Sequence, residues 1–180
     1  MDRKIILLTA GNINDKRKST RYALESLKNV KDLKPFILIV GEFNNSKISE
    51  FQDFDYLVTV YILNDNLKSE FFTVSDLFLY CSLADNLPLV VLETMASGVP
   101  VVGFDTGGIP EMVKQDETGY LVNQKNTDAL AKAIRHAFSE NHYQTWGVAA
   151  RNRAEEKFSN ELFFQKHLDL YYKQIKSFKN

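Results

Sequence analysis

The sequence predicts an α/β fold: a doubly wound parallel sheet of about six strands, with helices on both faces and further helices at the C-terminal end. Three observations predict it. Short apolar runs of strand length alternate with longer amphipathic stretches. The runs at 36–40, 77–81 and 100–104 are apolar at successive positions, as in strands covered on both faces. Beyond residue 126 the pattern is helical throughout.

In chain order, residues 4–9 predict the first strand, followed by a polar loop and a helix over about 19–30. The second strand is 36–40, ended by Gly41, and the polar stretch 43–54 suggests no more than a short helix. A third strand at 56–63 precedes a short helix at 67–74 and a fourth strand at 77–81. The next helix spans 88–97, with Pro88 in its first turn, where a missing N–H costs nothing, and Gly98 as its stop. A strand at 100–104 turns through Gly107-Gly108 into a short helix near 109–114, and 119–122 is the last strand. Helices follow at about 127–140, 142–158 and 160–178. The last carries Phe164, Leu168, Tyr171, Ile175 and Phe178 at helical spacing. The simpler expectation is that this stripe packs on the domain itself, the sharper one that part of it covers another domain.

The 180 residues (20.7 kDa) amount to a single domain, 1–180, long enough to bury a real core. Lys and Arg number 22 against 23 Asp and Glu, a net charge of −1 with pI about 6.3. That balance removes the main electrostatic reason to expect nucleic acid or an anionic membrane as partner. No apolar run approaches the roughly 18 residues of a membrane span, and the apolar start is too short for a signal peptide. Cys81, the one cysteine, forms no internal disulfide and offers no cluster for zinc. A cytoplasmic domain is expected.

Right-handed crossovers put a ligand site beyond the carboxyl ends of the strands, so the loops at 10–18, 41–46, 82–88 and 105–108 matter most. In Asp85-Asn86-Leu87-Pro88-Leu89-Val90, the amides of Leu89 and Val90 belong to a positive helix end aimed into the cleft, a geometry that suits phosphate. Asp85 before the helix and Glu93 inside it would flank such an anion and accept sugar hydroxyls; as ordinary residues they would be a cap and a solvated helix position. Gly107-Gly108, before Pro110, allow close backbone approach to a ligand, or make a left-handed turn without one. The triple glycine of a dinucleotide site and a Walker lysine are both missing. Lys16-Arg17-Lys18 would neutralise a diphosphate, or form a solvated basic turn. His136, His142 and His167 lie in the C-terminal helical part without zinc spacing.

The run from Asp85 to Pro100 resembles the donor-binding half of the GT-B glycosyltransferases, specifically the large retaining group called family 4. That family has an acidic residue, seven residues, then Glu, followed by Ala/Thr-Met-Ala-x-Gly-x-Pro-Val-Val. Here these are Asp85, Glu93 and Thr94-Met95-Ala96-Ser97-Gly98-Val99-Pro100-Val101-Val102. Gly107-Gly108-Ile109-Pro110-Glu111 and Glu117-Thr118-Gly119-Tyr120-Leu121-Val122 match in order and spacing, and Gly11 to Lys18 looks like the family's Gly-Arg…Lys-Gly loop.

The resemblance implies a Rossmann-like half of a GT-B fold with a site for a nucleotide-diphospho-sugar such as a UDP-sugar or GDP-sugar. It implies a hexosyltransferase type of enzyme working in polysaccharide or glycolipid biosynthesis, with no metal and no cofactor. Glu93 matches the residue on the ribose hydroxyls, Asp85 the acid at the donor sugar, and Lys18 the lysine on the diphosphate. Gly11, Asn12, Arg17, Asn86, Leu87, Pro88, Leu89, Val90, Gly107 and Gly108 match the remaining donor-binding positions. Asn12 stands where the family often has a diphosphate-binding Arg, Ser19 replaces the loop Gly, and Asp85 is one methylene shorter than the commoner Glu. The family's N-terminal acceptor domain is absent from these residues. The expectation is therefore weak donor binding and little or no transfer by this chain alone, with a separate acceptor-binding domain or subunit as partner. That missing half could also bring the chain to the inner face of the membrane. The alternatives are a non-catalytic nucleotide-sugar-binding subunit or remnant, and a GT-B-fold sugar-nucleotide epimerase.

Overall fold

A computed structural model describes residues 3–10, 20–41, 48–59, 62 and 64–178. Its six strands are β1 (Ile5–Ala10), β2 (Phe36–Gly41), β3 (Asp55–Thr59), β4 (Leu77–Tyr80), β5 (Val101–Phe104) and β6 (Gly119–Val122). They form one parallel sheet in the order β3-β2-β1-β4-β5-β6, the doubly wound arrangement expected. The helices are α1 (Thr20–Lys28), α2 (Asp65–Thr73), α3 (Leu89–Ala96), α4 (Ile109–Met112), α5 (Thr127–Phe138), α6 (His142–Phe158) and α7 (Asn160–Phe178).

Strand alternation sorts the core into two layers. Ile6, Leu8, Ile37, Ile39, Leu77, Leu79, Val102 and Phe104 face the layer made with α1 and α5, which takes in Trp146. Leu7, Leu38, Val40, Phe78, Tyr80 and Val101 face the other, made with Phe72 of α2, Val91 and Met95 of α3, Met112 of α4, and Ala150 and Ala154 of α6. Both faces of the sheet are covered, which is why its central strands read as continuous apolar runs.

The short helix suggested within 43–54 is, among the described residues, a 3₁₀ turn, Ser49–Phe51, which buries Phe51. The third strand is described over Asp55–Thr59, residues 60, 61 and 63 lying outside the described residues, and as an edge strand it leaves Tyr56 and Leu57 exposed. Two sequence expectations change. Pro88 is the residue before α3, not a member of its first turn. The stripe on the last helix does not pack on this domain: α7 buries none of its residues, and Phe164 and Phe178 are 64% and 88% exposed. Among the described residues Ala154 is the last that is buried, and the extended backbone at Ser159 (ψ 153°) starts α7 beyond the core.

Candidate functional site

The strand order reverses at β1, with β2 and β3 on one side and β4, β5 and β6 on the other. Such a reversal opens a crevice beyond the carboxyl ends of the two central strands, here β1 and β4. Gly11, Asn12, Arg17 and Lys18, expected after β1, lie outside the described residues. The loops after β4 and β5 are described.

Asp85 is half-buried in the first of these loops, beside exposed Asn86 and Leu87. The buried Tyr80, last residue of β4, tilts against Phe78 and donates its hydroxyl to Asp85 Oδ2 at 2.5 Å. Ser82 Oγ donates to the same oxygen at 3.3 Å. The acid is therefore oriented by the strand that leads into its loop.

The loop after β5 locks this loop in place. Gly107 has φ +53°, and a Cβ there would stand 1.7 Å from the Asp85 carbonyl oxygen. At Gly108 it would stand 2.2 Å from the Asn86 carbonyl oxygen, to which the Gly108 N–H donates at 2.6 Å. The close approach expected of the two glycines is thus made by the chain's own backbone. Gln124, just past β6, donates its Nε2 to Thr106 Oγ1 at 2.9 Å and to the Leu83 carbonyl at 3.2 Å, which braces both loops.

α3 starts where this loop ends. Pro88, with φ −69° and ψ 116°, is its N-cap, because extended backbone at that position lets the next residue open the helix. Leu89 and Val90 are the first two helical residues, and amides at such positions have no intrahelical acceptor. They form the positive end of the helix, with Leu89 exposed and Val90 half-buried. Gly98 stops the helix as expected, at φ +79°. Its N–H donates to Met95 O at 2.9 Å and that of Val99 to Thr94 O at 3.2 Å, the two bonds of a Schellman turn. Gly147 on α6 fits against this turn, since a Cβ there would stand 2.3 Å from the Gly98 carbonyl oxygen.

Glu93, one turn inside α3, is half-buried and paired. Lys68 of α2 donates to its Oε1 at 2.9 Å and stands 3.1 Å from Asp65 Oδ1. The Lys68 pKa is raised from the ordinary lysine value, chiefly by the hydrogen bond to Glu93, against a smaller opposing effect of burial. Asp65, Lys68, Ser69, Phe72, Glu93, Ala96 and Ser97 line a cavity of about 310 Å³ between α2 and α3. Tyr80, Ser82, Lys68 and Gln124 escaped sequence reasoning. Tyr80 alone left a signal, as a polar-tipped residue ending an apolar strand that feeds the predicted site. The histidines make ring contacts instead of a ligand set: His142 stacks on Trp146, and His136 meets Tyr120, His142 and Trp146 edge-on. Among the described residues no group of three or more His, Cys, Asp or Glu side chains gathers to hold a metal ion. No helix among them is long and apolar enough to cross a membrane.

Comparison with known proteins gives the site a context. The family model described as "Glycosyl transferases group 1" matches residues 4–140. The N-acetyl-alpha-D-glucosaminyl L-malate synthase of Bacillus anthracis is 36% identical over 117 residues, 64% of this chain and 30% of that protein. Among solved structures, sucrose-phosphate synthase from Thermosynechococcus elongatus superposes with a TM-score of 0.85 at 22% identity, covering 98% of this chain and 46% of that one. Anabaena HepE in complex with UDP-glucose superposes at 0.80 and 16% identity, covering 96% and 49%. At these identities the two structures speak for the fold alone. This chain spans under a third of the length of the curated relative and about half of the two solved chains.

Proposed function

The chain belongs to the group 1 glycosyl transferases, and from that premise we propose that it is the donor-binding domain of a retaining, metal-independent family 4 enzyme that uses a nucleoside-diphosphate sugar to build a polysaccharide or glycolipid. One observation supports this most: the start of α3 lies in the chain between two carboxylates, Asp85 in the loop before it and Glu93 one turn inside, each already oriented by a neighbouring side chain. In this reading Glu93 accepts the ribose hydroxyls and Asp85 meets the donor sugar. The Leu89 and Val90 amides receive the phosphates, with Asn86, Leu87 and Pro88 lining the approach.

When the bond from the sugar's anomeric carbon to the diphosphate oxygen breaks, negative charge gathers on the departing diphosphate. The helix end, Lys18 and Arg17 neutralise that charge, so no metal is needed. The acceptor and its own wall of the cleft belong to the part of the relatives that this chain does not span. Transfer by this chain alone is accordingly slight.

Calorimetric titration of UDP, GDP and their sugar conjugates into this chain, beside Glu93→Ala, tests the reading. Saturable binding of one nucleotide, weakened roughly tenfold to a hundredfold by the substitution, is expected from losing hydrogen bonds to a charged group. Equal binding by both proteins would remove Glu93 from the site, and no binding by the folded parent would remove the site.

A further inference from the structure

Lys68 is fixed in space before it meets Glu93. Asn64 caps α2 by accepting the Leu67 N–H on Oδ1 at 3.0 Å, and the Lys68 N–H donates to the Asn64 carbonyl at 2.9 Å. Lys68 therefore sits in the first turn of a capped helix, with its side chain 24% exposed and lying between Asp65 and Glu93. The exposure of its partners differs: Glu93 is 40% exposed and Asp65 88%. The buried ring of Phe72, one turn further along α2, lines the same cavity.

We propose that Lys68 is a positioning residue for nucleotide recognition, holding the Glu93 carboxylate by one oxygen so that its other lone pairs are presented to the ribose hydroxyls. This rests on the reading of Glu93 as the ribose acceptor. A glutamate on a helix surface has three rotatable bonds, and a nucleotide that must order it loses affinity in doing so. Lys68 removes most of that freedom in advance through a charge-assisted hydrogen bond. Its raised pKa keeps the ammonium charged throughout the neutral range. Asp65 completes the device by offsetting the lysine's charge, so that Lys68 orients Glu93 instead of competing with it as an anchor for phosphate.

The test separates ribose recognition from general attraction. UDP and GDP, and their 2′,3′-dideoxy analogues, are titrated into the parent chain, Lys68→Met, Lys68→Arg, Asp65→Asn and Glu93→Ala, with thermal unfolding of each as a fold check. The parent is expected to prefer the ribonucleotide. Lys68→Met should lose about tenfold of that preference with dideoxy binding unchanged, Lys68→Arg should keep most of it, and Lys68→Met combined with Glu93→Ala should be no worse than Glu93→Ala alone. Asp65→Asn, which leaves the lysine in place, should lose part of the preference, and it carries the test if Lys68→Met fails to fold. An undiminished preference in Lys68→Met, or equal weakening of both nucleotides, overturns the proposal while leaving the donor site standing. A parent that binds no nucleotide overturns the donor-site reading and this inference with it; a parent that binds without ribose preference overturns Glu93 as the ribose acceptor, and this inference with it, while the donor site stands.

Discussion

Gly107 and Gly98 both sit in left-handed backbone, at φ +53° and +79°, yet they face different surroundings. Around Gly98 a Cβ would meet nothing within 4 Å, whereas at Gly107 it would be driven into the Asp85 carbonyl. Gly98→Ala should therefore cost about 1 kcal/mol, the ordinary price of that conformation for an L-residue. Gly107→Ala should cost more than about 2 kcal/mol, because strain adds to the clash, and should also lower nucleotide affinity by displacing Asp85. Urea unfolding of the two variants measures the difference. The need for glycine at 107 and 108 was legible in the sequence, but its cause was not, since spacing cannot say which backbone comes close. Lys68 left no trace at all: its partner lies 25 residues away on another helix, and no local pattern encodes that meeting. Asp85, Glu93 and the start of α3 were legible because one continuous stretch of chain holds all three.

Alternation and cap chemistry located the elements, and the exceptions have local causes. Pro88 was expected one position too deep, because a proline's fixed φ serves the cap as readily as the first turn. For the apolar stripe of α7 the simpler of the two expectations fails, because periodicity reports a face without reporting what covers it. Since α7 buries none of its side chains, ending the chain at Ser159 should leave unfolding free energy within about 1 kcal/mol of the parent. The same truncation should abolish most fluorescence of a dye that binds exposed apolar surface. A large loss of stability in calorimetry or urea unfolding would mean that α7 supports the core after all.

Across the whole molecule, two closed apolar layers predict a single cooperative transition. Cys81 reports on it from the end of β4, where it is buried in one layer. Burial pushes its thiol well above the ordinary cysteine range. Labelling at mildly alkaline pH should therefore follow global unfolding, coinciding with the change in fluorescence of Trp146 in the same layer; rapid reaction in the native protein would refute this. The sign of the linkage follows: the unfolded thiol ionises above about pH 8.5 and the folded one does not, so this contribution to stability is complete below that pH and falls as pH rises. The strand order has a further consequence, for a chain still emerging from the ribosome. β1 finds its first neighbour in β2 within 41 residues, but its other edge waits for Leu77 and Phe78 of β4. Until then Ile6 and Leu7 present an open, apolar strand edge, the kind that pairs with other chains. Nascent or prematurely terminated chains that stop short of β4 are the species a cell must shield or degrade, while those that pass it can close the sheet around their own first strand.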